Sequence, residues 1–134
     1  MRTFLILITC FLTLSPAARA TPAGIFIERW RAVSRPPVEK GVSPDTVAQR
    51  LADNPEFKAL IREFHDALQR YSAEIRSSRS SGRAARSCPP PGVEVVMDDM
   101  LERIERLPTE WRDRELSDAF GAAMDAQYPC GTAS

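Results

Sequence analysis

The chain has 134 residues, 18 basic against 18 acidic side chains, one His and three Cys, with 43% hydrophobic and 27% charged residues. That length fits one domain, and the charged fraction is that of an ordinary globular protein, which excludes wholesale disorder. A formal charge of zero excludes a strongly basic nucleic-acid binder on global electrostatics, and eleven Pro against six Gly predict many hard stops between elements.

The first twenty residues read as a secretory leader rather than as structure. Arg2 is a short positive region, Phe4 to Leu14 is an almost unbroken apolar stretch, and Ser15-Pro16 breaks it. Ala18-Arg19-Ala20 then presents small residues at both positions a signal peptidase reads, so cleavage is expected after Ala20. The apolar run is shorter than the roughly 20 residues of an ordinary membrane span, and no later segment qualifies. The expectation is a periplasmic protein with no membrane span in its mature chain, residues 21–134 forming a single domain. Removing the leader takes away Arg2, Arg19 and no acid, which leaves 16 bases, 18 acids and a net charge of −2. Cys10 goes with it, leaving Cys88 and Cys130.

Helical spacing dominates the rest. Phe26, Trp30 and Val33 predict a short helix over 22–33, ended by Arg35-Pro36-Pro37. Ser43-Pro44-Asp45 is an N-cap, a first-turn Pro and an acid that complements the helix dipole, opening a brief helix with Val47 and Leu51 inward. Asn54-Pro55-Glu56 repeats that start signal. From Pro55, Phe57, Leu60, Ile61, Phe64, Leu68, Tyr71 and Ile75 recur at three- and four-residue steps, the pattern of a long core helix. Residues 76–87 are Arg- and Ser-rich and read either as the frayed end of that helix or as a loop near Gly82.

The second half predicts a helical hairpin. One stripe runs through Val93, Val96, Met97, Met100, Leu101, Ile104 and Leu107 to Pro108; another runs from Trp111 through Leu116, Ala119, Phe120, Ala123 and Met124 to Tyr128-Pro129. Cys88 precedes the first and Cys130 follows the second. Antiparallel helices joined by a short loop bring those ends together, so a Cys88–Cys130 disulfide would clip the hairpin's open end. Without a Cys-x-x-Cys pair or a thiolate-stabilising cluster, its expected role is structural. The fold class is therefore all-α, a small bundle of four to five helices with a disulfide-clipped C-terminal hairpin.

The stretch Cys88-Pro89-Pro90-Pro91-Gly92-Val93, a helix ending at Leu107-Pro108, and a second helix closing with Ala126-Gln127-Tyr128-Pro129-Cys130 resembles the C-terminal half of the Rap/Tai immunity proteins. Glu94 and Met97 stand where that family has Thr and Gln, and a second cysteine pair is absent from the N-terminal half. The resemblance implies a small exported helical protein that neutralises a type VI secreted cell-wall amidase effector by docking on it, and it leaves a homodimer open. A looser likeness of architecture to periplasmic acid-stress chaperones supplies the alternative function; an uncharacterised secreted helical protein is the remaining one.

Candidate contact residues follow from charge and aromatic placement. Arg76, Arg79, Arg83 and Arg86 step by three, four and three, which gives a cationic strip if the long helix continues and a solvated loop if it stops. Pro108, Trp111 and the connection to Asp113 form a second candidate surface, although Trp111 and Trp30 at helical spacing also fit a core. His65 is the lone His and anchors no His/Cys metal site by itself, so neither metal nor cofactor is expected. Asp98, Asp99, Glu102 and Glu105, then Asp113, Glu115 and Asp118, are interleaved with arginines, which suits a solvated helix face better than acid–base chemistry. No enzymatic activity is expected.

Overall fold

The structure is a computed structural model that describes residues 20–37 and 40–131. Most of the expected leader, including Cys10, lies outside the described residues, as does part of the loop after α1. Five α-helices and no strand are found among the described residues, 68% of which are helical. They are α1 (Ala23–Ser34), α2 (Pro44–Asp53), α3 (Pro55–Ser80), α4 (Met97–Arg106) and α5 (Leu116–Gln127), with a short 3-10 turn over Thr109–Asp113 before the last.

The starts of α2 and α3 are set by local chemistry. Ser43 Oγ accepts a hydrogen bond from the Thr46 backbone N–H at 3.2 Å, and Asn54 Oδ1 accepts from Glu56 and Phe57 at 2.8 and 3.2 Å. Each cap satisfies donors that have no partner inside the helix, and the Pro that follows needs none. The end of α3 is equally defined. Gly82 takes φ +69°, its N–H donates to Arg79 O, and the Arg83 N–H donates to Ser78 O. This pair of bonds is a Schellman closure, which requires a left-handed residue after the helix and so favours Gly. The helix ends at Ser80 with Ser81 as its cap rather than fraying, and Arg83 and Arg86 lie beyond it.

Packing is centred on α3 and α5, with α1 across one side, α4 antiparallel to α5, and α2 resting on α3. An aromatic chain runs through the core. Phe26 and Phe64 have ring centroids 6.5 Å apart, Phe64 meets Phe120 edge-on at 5.6 Å, and Tyr71 meets Phe120 at 5.7 Å. Leu60, Ile104, Met124 and the two phenylalanines Phe26 and Phe120 are almost wholly removed from water. At about 1.5–3 kcal/mol per large apolar side chain, burial of this kind is the dominant favourable contribution to the fold. α2 contributes no fully buried side chain and is the most peripheral element.

Both hairpin helices start later than the apolar stripes suggest. Val93, Val95 and Val96 precede α4 in non-helical conformation, with Gly92 at φ +73° turning the chain after the three prolines. Three prolines followed by β-branched residues favour extended backbone over helix. On the other side, the backbone around Arg114–Leu116 is already engaged. Ala23 N–H donates to Arg114 O at 2.8 Å and Leu116 N–H to Thr21 O at 3.0 Å, a short antiparallel bridge between Pro22 and Glu115. Those bonds hold Glu115 extended, so α5 begins at Leu116 and Trp111 falls in the 3-10 turn.

The Cys88–Cys130 disulfide is present, with Cα atoms 4.9 Å apart and a sequence separation of 42. Beside it, Cys88 N–H donates to Tyr128 O at 2.8 Å. The covalent link and this backbone bond together fix the start of the Pro89–Val95 segment against the end of α5.

Candidate functional site: an arginine-rimmed apolar groove

The expected strip of four arginines divides at the capped end of α3. Arg76 and Arg79 lie on the last turns of the helix and are exposed. No carboxylate bonds to either of them among the described residues. Arg83 follows the glycine turn, where its Nε donates to Ser81 Oγ at 2.9 Å.

Arg86 is held quite differently. Its Nε donates to both oxygens of Asp125 at 2.9 and 2.8 Å, Nη2 lies 2.7 Å from Asp125 Oδ2, and Nη1 lies 3.2 Å from Glu74 Oε2. The hydrogen bonds to Asp125 hold the guanidinium above its ordinary pKa against the opposing effect of burial. Gly121 on α5 makes the approach possible, because a Cβ there would meet Arg86 Nη1 at 2.8 Å. The next residue, Ser87, is fully buried, and its hydroxyl shares a 2.5 Å hydrogen bond with the Tyr71 hydroxyl. Burial pushes the Tyr71 pKa up and the Ser87 bond pulls it partly back. Arg86 and Ser87 thus pin the loop after α3 to α3 and α5.

That pinned loop delivers Cys88 and the three prolines to the flank of α3. Between them lies a groove of about 250 Å³. The side of α3 supplies Leu68, Tyr71, Ser72 and Ile75, with Arg76 and Arg79 at its rim. The opposite wall is Pro89, Pro90, Pro91, Val93 and Val95, and Met124 of α5 closes it below. Tyr71, Ile75 and Met124 are buried, while Leu68, Val93 and Val95 are half-buried and available to a contact. No carboxylate is among the lining residues. The groove is an apolar trough with cations on one edge.

The second expected surface is less open. Pro108 is exposed at the start of the 3-10 turn, but Trp111 is half-buried and packs against the core, and Gly24 of α1 sits close to Arg112, its would-be Cβ 3.2 Å from the Arg112 carbonyl oxygen. Trp30 is a core residue that stacks on Phe57 with centroids 5.4 Å apart. Its indole N–H donates to Asp98 Oδ1 at 2.7 Å, which gives one acid of the α4 face a structural role. Glu105 pairs with Arg31 and Glu102 with Arg106. His65 is exposed beside Gln69. Among the described residues, no group of three or more His, Cys, Asp or Glu side chains is placed to hold a metal ion, and no helix is long and apolar enough to cross a membrane.

Sequence reasoning singled out Arg76 and Arg79 but missed their partners in the groove. Periodicity gives Leu68 as a core residue, and the prolines enter only as part of the Cys88–Val93 segment. What joins them is the buried Tyr71–Ser87 contact, which gives no periodic signal. No family model, curated protein or solved structure matches this chain.

Proposed function

We propose that this is an exported protein-binding protein that acts by docking on a partner, an immunity-like inhibitor of a peptidoglycan-degrading effector. The observation that carries the reading is the groove. It joins a preformed apolar trough to two guanidinium groups that have no carboxylate partner among the described residues. Exposed charge at the edge of an apolar patch is the arrangement of a protein–protein contact, in which a desolvated centre supplies affinity and rim charges supply orientation and encounter rate. At about 250 Å³ the trough is smaller than the ~300–1,000 Å³ of typical small-molecule sites and suits one or two anchoring side chains.

The disulfide supports export, since such bonds persist in oxidising compartments. The Cys-Pro-Pro-Pro-Gly-Val and Tyr-Pro-Cys segments that frame the hairpin supply the immunity-like part of the reading. The test is capture with the oxidised protein from its own cell envelope and secretome, at neutral and at acid pH. A stoichiometric peptidoglycan hydrolase that loses activity on binding is the expected result. Many weak clients in acid alone would replace this reading with that of a stress chaperone.

A further inference from the structure

We propose that the groove between α3 and the Pro89–Val95 segment binds an acidic, aliphatic segment of the protein partner. In this contact one aliphatic side chain seats on Leu68, Val93 and Val95 while flanking carboxylates meet Arg76 and Arg79. The inference deepens the protein-binding reading and rests on it.

Three features of the groove specify that chemistry. Arg76 and Arg79 are three residues apart on one helix, so they lie on the same face with Cβ atoms about 5–6 Å apart. Their spacing suits two carboxylates of one short segment. Each guanidinium can take a carboxylate through two parallel N–H donors, the strong form of such a contact. The lining holds no acid that would compete, whereas Arg86, whose charge is already matched by Asp125 and Glu74, faces away from this role.

The apolar walls disfavour a wholly polar ligand. Seating water or a charged head on Leu68, Val93 and Val95 gains nothing, while an aliphatic side chain removes apolar area on both sides from water. The walls are also set in advance. The α3 end is capped, and the facing loop segment is stiffened by three prolines and anchored by the disulfide at Cys88. A site already in its binding conformation loses little entropy when it is filled. An anionic membrane surface is a poorer match, because electrostatic lipid recognition draws on clusters of about 4–8 basic residues spread over an open face.

The test is an amide NMR titration of ¹⁵N-labelled protein, expressed from the full chain and purified oxidised. The probe is a terminally blocked hexapeptide with Leu-Ile at its centre and Asp and Glu on both sides. The expected result is shift changes confined to Leu68–Arg79 and Gly92–Val95. They should be absent with the same peptide carrying Lys for every acid, and apparent affinity should fall about tenfold or more in Arg76→Glu/Arg79→Glu. Arg76→Gln/Arg79→Gln should show a smaller loss in the same direction, and unshifted amides elsewhere would confirm that both variants are folded.

No shift at millimolar peptide, shifts centred on another surface, or an equal response to the Lys peptide would overturn the proposal. So would the same amides shifting on protein dilution, which would assign the groove to a second copy, or with phosphatidylglycerol vesicles and not the peptide, which would assign it to a membrane. The two readings fail separately. A hydrolase still inhibited by the Arg76→Glu/Arg79→Glu protein would leave the inhibitor reading standing and place its docking surface elsewhere.

Discussion

Arg86 and the pair Arg76/Arg79 come from one short run of sequence, yet they stand in opposite electrostatic situations. Arg86 is clamped by Asp125 and Glu74 over the bare backbone of Gly121, and its charge is spent inside the molecule. Arg76 and Arg79 project from a capped helix, and among the described residues no carboxylate is bonded to either. The difference lies in what faces each residue across the loop rather than in the residue type. Where α5 presents an acid and a glycine, an arginine becomes part of the scaffold. Where the opposite wall is proline and valine, the arginine stays available. The clamp adds to the stability of the loop, while the disulfide at Cys88 sets the prolines that complete the groove bordered by Arg76 and Arg79.

The largest expected effect comes from cutting the link that both regions share. Replacing Cys88 and Cys130 with Ser, at a sequence separation of 42, should cost about 4 kcal/mol in a denaturant titration if the chain-entropy account holds. It should also loosen the groove wall, seen as faster amide exchange at Gly92–Val95. Stability unchanged by the substitution would show that the loop is held by the Arg86 and Ser87 contacts alone.

Next comes the buried bond beneath the clamp. Ser87→Ala leaves the Tyr71 hydroxyl unsatisfied and should cost about 1–3 kcal/mol, whereas Ser87→Ala with Tyr71→Phe removes both partners and should recover part of that loss. Tyr71 also gives a pH signature. Its folded pKa lies above the ordinary 10.0, so the folded state holds the proton more tightly than the unfolded chain. Its stabilising contribution is complete below about pH 10 and falls as pH rises through the folded pKa. Thermal unfolding between pH 9 and 11 should therefore show a smaller alkaline decline in Tyr71→Phe than in the parent, and equal declines would remove Tyr71 as the cause.

Gly121→Ala is the sharpest probe of the clamp. The added Cβ displaces the end of a flexible side chain, which weakens the Arg86–Asp125 pair by up to about 1 kcal/mol, as expected for a pair only about two-thirds buried. Alanine recovers about 1 kcal/mol of helix propensity within α5. Net stability should change by less than about 1 kcal/mol. A much larger loss would mean that the backbone, not the guanidinium, gives way. The smallest effect is expected for Arg76→Gln/Arg79→Gln, within about 0.5 kcal/mol of the parent, since exposed unpaired residues contribute little to folding.

Much of the fold was legible in the sequence. The caps at Ser43 and Asn54, the long stripe from Phe57 to Ile75, and the facing cysteines each reflect local chemistry or simple periodicity. The starts of α4 and α5 were not, because tertiary contacts decide them. An apolar stripe looks helical through Val93 to Val96 until the prolines and Gly92 are seen to keep that stretch out of the helix, and Trp111 looks like part of α5 until Thr21 and Ala23 are found bonded to its connector. Of the four arginines, the sequence could not separate the free from the clamped. That distinction depends on Asp125 and Gly121, which lie far along the chain on another helix.

The most direct test of the division between scaffold and contact arginines is the affinity of the acidic hexapeptide for Arg86→Gln beside its affinity for Arg76→Gln/Arg79→Gln. The account predicts that Arg86→Gln binds within about twofold of the parent despite lower stability, while the double variant keeps its stability and loses affinity. Lost affinity in Arg86→Gln with parental affinity in Arg76→Gln/Arg79→Gln would contradict it.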